Sequence, residues 1–281
     1  MTTKQLETKA NQIREDIIAM LLEAGSGHSA GPLGMADVFT ALYFEVLNHR
    51  PKQPDWPERD RLILSNGHIV PVRYATMARA GYFPVSELKT LRKLGSRLQG
   101  HPERLRLPGL ETTSGPLGSG LSQANGIALI NRLENNRSRW TYCLIGDGES
   151  NEGQLWEAAM LAGKFKLANL TVIMDRNNIQ IDGPTEVVMP LEDVRAKWEA
   201  FNWHVLEING HNFDEIINAC NEAKAIENKP VIIIAHTIPG KGVDFMQYDF
   251  HWHGKPPKPE EAKKALAELR TLGGKIRSEH E

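Results

Sequence analysis

Apolar side chains recur at Leu6, Ala10, Ile13, Ile17 and Leu21, in steps of three and four, so the chain opens with an amphipathic helix that stops near Gly25. A second helix is expected from about Met35 to Leu47. The pattern then changes. Short apolar or β-branched runs stand at Arg61 to Leu64, Trp140 to Ile145, Leu170 to Met174 and Val231 to Ala235, each separated from the next by helical pattern. Strands that alternate with helices and read as continuous apolar runs belong to a mostly parallel sheet covered on both faces. The predicted fold class is therefore α/β, a mostly parallel central sheet flanked by helices.

Three stretches carry turn chemistry: Pro51 to Pro57, Asn177 to Met189 with its Asp182-Gly183-Pro184, and Gly240 to Pro259 with its Pro256-Pro257. The last two follow strands directly, and in open α/β sheets ligands bind beyond the carboxyl ends of the strands. No internal repeat or linker is visible, so residues 1–281 read as a single domain. After Pro259, charged residues surround Ala265, Leu266 and Leu269, which predicts a surface helix ending at Gly273-Gly274.

Composition narrows the function. The 281 residues are 41% hydrophobic and 24% charged, enough to bury a substantial core. Lys and Arg number 33 against 35 Asp and Glu, a net charge of −2, so neither nucleic acid nor a membrane surface is an expected partner. Cys143 and Cys220 lie in apolar stretches far apart and read as core thiols of a reduced, cytoplasmic compartment. The charged first twenty residues and the short apolar run Ile17 to Leu22 give no expectation of a targeting or membrane segment.

The chemistry starts at Leu144-Ile145-Gly146-Asp147-Gly148, a strand that runs into a Gly-flanked carboxylate. Alone, this describes a tight turn with a capping Asp as well as it describes an anion or metal site. The continuation favours the second. A helix with Leu155, Ala158, Ala159, Ala162 and Phe165 on one side leads to the strand Leu170 to Met174 and then Asp175-Arg176-Asn177-Asn178. A right-handed crossover would set Asp147 and Asn177 at the ends of neighbouring parallel strands. One anionic and one neutral oxygen suit a hard divalent cation that holds a diphosphate, toward which a helix starting near Ser150 would aim its N–H groups.

The segment GDGESNEGQLWEA, followed by NLTVIMDRNNIQIDG, resembles the thiamine diphosphate motif of the transketolase family. The resemblance continues in order through Gly25-Ser26-Gly27-His28, Ser65-Asn66-Gly67-His68, Gly100-His101-Pro102-Glu103, Thr113 to Gly118, and Trp252-His253-Gly254. It implies thiamine diphosphate with Mg2+, Ca2+ or Mn2+ as cofactors. Asp147 and Asn177 resemble the family's metal-ligand side chains, Ile179 the residue offering a backbone carbonyl, and Gly148 a close approach to the diphosphate. His68 and His253 resemble the histidines at the diphosphate, with His253 also at the reacting centre. Gly115 and Leu117 resemble the loop residues lying against the cofactor rings. His28 and His101 resemble the pair that hydrogen-bonds ketose hydroxyls and exchanges protons with them, a task suited to imidazole near neutrality. Glu152 and Glu157 match two carboxylates of a proton relay between paired sites.

The resemblance covers only the N-terminal, diphosphate-binding portion of complete transketolases. The Glu beside the aminopyrimidine, the aromatic stacked on it and the sugar-phosphate arginines all belong to a following domain. The expectation is the N-terminal subunit of a split transketolase. It would act with a separate C-terminal subunit carrying the pyrimidine-binding domain, as a heterotetramer with two of each chain. The expected reaction moves a two-carbon ketol group from a ketose phosphate such as xylulose 5-phosphate to an aldose phosphate such as ribose 5-phosphate.

Ser29 stands where Pro is commonest in the family, and Ile69-Val70-Pro71-Val72 is bulkier than usual; in the resemblance these positions flank the donor site, so an unusual ketose, such as a branched or sulfonated sugar, is a second expectation. Competing readings are the decarboxylating component of a 2-oxo-acid dehydrogenase, deoxyxylulose-phosphate synthase, and a non-catalytic cofactor-binding partner. The four motif histidines disfavour the first, since a 2-oxo acid has no hydroxyls for them to hold, and Asn151-Glu152-Gly153 disfavours the second. His251 and His253 form a His-x-His pair without further zinc ligands nearby. His49, His204, His211, His236 and His280 match no motif and are expected in loops or on the surface. Trp156, Trp198 and Trp203 are expected in the core.

Overall fold

The computed structural model describes residues 1–134, 136 and 138–271. The N-terminal helix α1 spans Thr3–Ala24; Thr2 and Gln5 close a capping box at its start, and Gly25, at φ 62°, ends it in the left-handed conformation that glycine adopts without strain. A short helix α2 (Ala30–Gly34) comes first, and the helix expected from Met35 to Leu47 is α3 (Ala36–Ala41) continued by a π-helical turn at Leu42–Val46. Strand β1 (Arg61–Leu64) is followed by α4 (Val70–Ala80), and α5 (Ser119–Leu133) precedes β2 (Thr141–Gly146). Helix α6 (Gly153–Phe165) leads to β3 (Leu170–Arg176). A two-stranded flap of β4 (Ile179–Gln180) and β5 (Gly183–Pro184) runs into α7 (Thr185–Val188). Next come α8 (Val194–Ala200), β6 (His204–Asn209), α9 (Phe213–Ala225), β7 (Val231–His236) and α10 (Pro259–Thr271).

The five long strands form one parallel sheet in the order β1-β2-β3-β7-β6. Successive side chains of a strand face opposite ways, and the core divides accordingly. Leu62, Leu64, Tyr142, Leu144, Ile173 and Ile233 pack under α1, α3, α4, α9 and α10. Ile63, Cys143, Ile145, Val172, Met174 and Ile232 pack under α5, α6 and α8, with Trp198 and Trp203. Both cysteines are buried free thiols. Among the described residues no helix is long and apolar enough to cross a membrane. The expected end of the last helix at Gly273-Gly274, and His280, lie outside the described residues.

Two boundaries differ from the sequence expectation for physical reasons. Strand β6 went unread because it is an edge strand: His204, Glu207 and Asn209, on both of its faces, break the apolar run. Helix α6 starts at Gly153, not near Ser150. Residues Gly148–Asn151 instead form a 3-10 turn, held by Ser150 N–H on the Asp147 carbonyl at 2.9 Å and Glu152 N–H on that of Glu149 at 3.0 Å.

Candidate functional site

The carboxyl ends of β1, β2 and β3 lie side by side, and each delivers one group to a common edge. β1 ends into Ser65-Asn66-Gly67-His68, β2 into Asp147, and β3 into Asn177. Gly146 pairs with Asp175 in the β2–β3 register, and the Asp147 N–H continues the ladder onto the Asp175 carbonyl at 3.1 Å. The two expected metal-ligand positions thus stand on adjacent strands, as the crossover requires.

Asp147 is buried, 2% exposed. One carboxylate oxygen accepts the Gly148 N–H at 2.7 Å; the other accepts the Asn178 N–H at 2.7 Å and the Arg176 guanidinium at 3.3 Å. Burial raises its carboxyl above the ordinary range, against those donors. Asn177 is held by a second carboxylate. Its Nδ2 donates to Asp175 at 2.8 Å and its Oδ1 accepts the Ile179 N–H at 3.1 Å, so the amide nitrogen is turned into the protein. Asp175 also accepts the Thr237 hydroxyl, and burial pushes its carboxyl up to about 7. Gly148 lies against the flap, where a Cβ would come within 2.8 Å of the Gln180 side chain, and Gln180 in turn donates to Asn151 at 3.0 Å.

Beside this edge three imidazoles meet from three loops. The ring centroids of His28 and His68 are 4.8 Å apart, those of His68 and His253 5.2 Å, and those of His28 and His253 5.5 Å. His101 joins them from a fourth loop, its Cδ2 standing 3.3 Å from where a Cβ on Gly67 would be. Ser29 explains part of this convergence: its buried hydroxyl donates to the Lys255 carbonyl at 2.6 Å, tying the His28 loop to the segment after His253.

All four imidazoles are held neutral below their ordinary range. Burial, then the charges of His253, Arg92 and His101, lower His28 to about 4. Burial and the neighbouring histidines hold His68 well below its usual value, burial and Arg92 lower His101, and burial lowers His253. Arg92 contributes because its guanidinium packs beside Gly100, with Cζ 2.7 Å from that residue's Cβ position and Nε 3.8 Å from that of Gly27. Several buried polar atoms nearby have no partner among the described residues: His28 Nδ1, His253 Nδ1, Asn66 Oδ1 and Ser114 Oγ. Ser114 backs Gly67 so closely that a Cβ there would be 2.1 Å from Oγ, whereas a Cβ on Gly115 would meet nothing within 4 Å. Leu117 is half-buried in the same loop.

Not every expected residue joins the cluster. Glu152 and Glu157 are exposed on α6 and its lead-in, with Glu152 against Gly118; neither side chain pairs with a described residue. Ile69, Val70 and Val72 are buried, and Ile69 packs on Gly31 in the segment that follows His28. His211 is not a surface residue either: it is largely buried, with Nδ1 2.7 Å from Asp37 and Nε2 accepting the Ile238 N–H at 2.8 Å. His49 is half-buried between Tyr82 and the Tyr43 carbonyl. Among the described residues no group of three or more His, Cys, Asp or Glu is arranged to hold a metal ion. Sequence reasoning missed Asp175, Glu149 and Arg92; the signal for the first two was only that acids sit beside the turn motifs.

The comparisons with known proteins agree with this geometry. The family model for the transketolase thiamine diphosphate binding domain matches residues 6–273. A 6-deoxy-6-sulfo-D-fructose transketolase subunit of Clostridium sp. (strain MSTE9) is 44% identical over 268 residues, covering 95% of this chain and 97% of its own. An apulose-4-phosphate transketolase subunit of Phocaeicola vulgatus is 38% identical over 280 residues, covering 100% of this chain and 99% of its own. The crystal structure of transketolase from Campylobacter jejuni superposes with a TM-score of 0.89 at 37% identity, covering 96% of this chain but only 43% of that enzyme's. A parallel sheet with these motifs at its carboxyl edge, matched nearly end to end by transketolase subunits, establishes that the chain belongs to the transketolase family, as its N-terminal, thiamine diphosphate-binding part.

Proposed function

We propose that this chain, a single domain over residues 1–281, is one half of a two-chain transketolase that moves a two-carbon ketol group from a ketose phosphate to an aldose phosphate. The observation that carries the reading is the meeting of His28, His68, His101 and His253, from four loops, beside the edge that holds Asp147 and Asn177. A 2-oxo acid offers no row of hydroxyls for so many neutral imidazoles; a sugar does.

The residues fit thiamine diphosphate and a divalent cation on three counts. Asp147 and Asn177 are hard oxygen donors suited to Mg2+, Ca2+ or Mn2+, with the Ile179 carbonyl as a third. The buried, unpartnered atoms of His28, His253, Asn66 and Ser114 call for a polar ligand. The space in front of Gly115 is open to an aromatic ring. In this reading His68, His253 and Gly148 hold the diphosphate, and Gly115 and Leu117 lie against the rings. When bound, thiamine diphosphate supplies the nucleophilic carbon and the electron sink that carbon–carbon cleavage needs.

This chain's own groups do the proton work. His28, His101 and His253, kept neutral at pH 7, accept and return hydroxyl protons of the sugar. Glu152 and Glu157, exposed and unpaired among the described residues, are available to carboxylates of the partner for a relay between sites. A partner is implied by the names of the two relatives, each of which is a transketolase subunit. It carries the pyrimidine-binding domain, and the assembly contains two of each chain. The exposed apolar residues Met160, Leu161 and Phe165 on α6 and Ile130 and Leu133 on α5 are its docking face.

The names of the two relatives favour a second choice of donor, a sulfonated or branched ketose. A coupled assay decides both points. The chain is tested alone and with its coexpressed partner, in thiamine diphosphate and Mg2+, with xylulose 5-phosphate, 6-deoxy-6-sulfofructose and apulose 4-phosphate as donors and an aldose phosphate as acceptor. Activity only in the mixture supports the split enzyme, and the donor with the highest kcat/KM names the substrate. Full activity from the chain alone would overturn it.

A further inference from the structure

Glu149 follows the Gly146-Asp147-Gly148 turn and has no part in the ligand contacts proposed above. Its side chain is buried, 3% exposed, and its partners are hydrogen-bond donors of neutral groups. One oxygen accepts the Gly146 N–H at 3.0 Å; the other accepts the Gly118 N–H at 2.6 Å and the Ser65 hydroxyl. That hydroxyl in turn accepts the Gly120 N–H at 3.1 Å. One carboxylate therefore joins the end of β2, the end of β1 and the loop that enters α5.

Each of those segments leads to a group of the cofactor site. Ser65 precedes Asn66-Gly67-His68, Gly146 precedes Asp147, and Gly118 closes the loop of Gly115 and Leu117. Their approach is close: a Cβ on Gly120 would stand 2.4 Å from the Ser65 Cβ. Gly118 itself, at φ 82°, turns the loop in the left-handed region. An apolar side chain could occupy the same interior at lower desolvation cost, but it would leave the Gly118 and Gly146 N–H groups and the Ser65 hydroxyl without an acceptor.

We infer that Glu149 is a positioning residue that sets the spacing of the diphosphate turn, the His68 loop and the ring-contact loop before cofactor binds. The inference rests on the cofactor site proposed above. Glu149→Gln keeps the shape but turns one acceptor into a donor facing N–H groups. Asn125→Ala is the control, because Asn125 hydrogen-bonds to the Ala158 carbonyl at 2.8 Å, between α5 and α6, and so links neither Glu149 nor Ser65 to the loops.

Two readings are taken: amide hydrogen exchange of the full chain, and the dissociation constant of thiamine diphosphate with Mg2+ in the complex with its partner. In Glu149→Gln, exchange over residues 65–68 and 113–120 should rise at least about tenfold with α1 and β7 unchanged, and cofactor affinity should fall at least about tenfold. Asn125→Ala should lose thermal stability without either change. Should Glu149→Gln not fold, Ser65→Ala, which keeps the carboxylate and cuts its link to Gly120, is read the same way. Equal affinity in wild type and variant, or equal loss in variant and control, overturns the positioning role alone. A wild-type complex that takes up no thiamine diphosphate overturns the cofactor reading, and this inference with it.

Discussion

His28 and His253, drawn from opposite ends of the chain, meet edge to face at 5.5 Å between ring centroids, and His68 closes the triangle. Three imidazoles at that spacing cannot all be charged, which gives the pocket a stability cost in acid. The folded chain binds fewer protons than the unfolded one between the ordinary imidazole value of about 6.5 and the folded value. For His28 that window closes at about 4. Stability is therefore full above about pH 6.5 and falls as pH drops through the window. Asp175, raised to about 7, acts in the opposite sense, so variants must be compared at each pH. Urea midpoints at pH 7 and pH 5 should fall less for His28→Asn than for wild type. An equal fall in both would remove the cluster as the cause.

His101 stands at the rim, exposed, and belongs to substrate rather than cofactor in the proposed reading. In the assembled enzyme, His101→Ala should lower kcat/KM for the donor about a hundredfold or more, the usual range for loss of a proton-transferring side chain. Thiamine diphosphate affinity should stay within about twofold. Steady-state kinetics with donor varied, beside a cofactor titration, check both, and equal loss of the two would move His101 to the cofactor.

The Asp147–Asn177–Asp175 chain predicts graded metal dependence. A chelator should strip thiamine diphosphate from the complex, and added Mg2+, Ca2+ or Mn2+ should restore it. Asp147→Ala, which removes a ligand, should abolish cofactor uptake at micromolar concentrations. Asp175→Ala removes the carboxylate that turns Asn177 and holds Thr237 but leaves both ligands in place, and should weaken metal affinity about 10- to 100-fold, as for other groups that orient a ligand from behind. Metal titrations of the three proteins give the order.

Much of this was legible because the informative signals are local. Glycines flanking Asp147, the recurrence of apolar positions in α1 and the runs at β1, β2, β3 and β7 are set by neighbours in sequence. The unread parts depend on neighbours in space. Strand β6 tolerates polar residues because it lies at the edge of the sheet, and His211 is buried only because Asp37, which also pairs with Arg14, comes to meet it. Ile69 and Val72 follow a motif histidine directly, yet the turn into α4 sends them to the core. Glu149 looks like any acid after a turn until the β1 end and the α5 loop converge on it in space.

The α6 face offers the sharpest test of the two-chain reading. Met160 is 57% exposed, Leu161 41% and Phe165 39% on α6, and Ile130 and Leu133 are exposed on α5, which packs beside it, apolar side chains that a lone chain leaves in water. Because Met160 lies mostly in water, Met160→Glu should change the stability of the isolated chain by no more than about 0.5 kcal/mol. A charge placed in the docking face should nevertheless weaken assembly at least about tenfold, since an unpaired ion would have to be desolvated on binding. Sedimentation of the coexpressed pair at several concentrations reads the assembly, and calorimetry of the isolated chain reads the fold. A variant that assembles as tightly as wild type would put the partner on another face, and would leave Glu152 and Glu157 on this one without a relay to join.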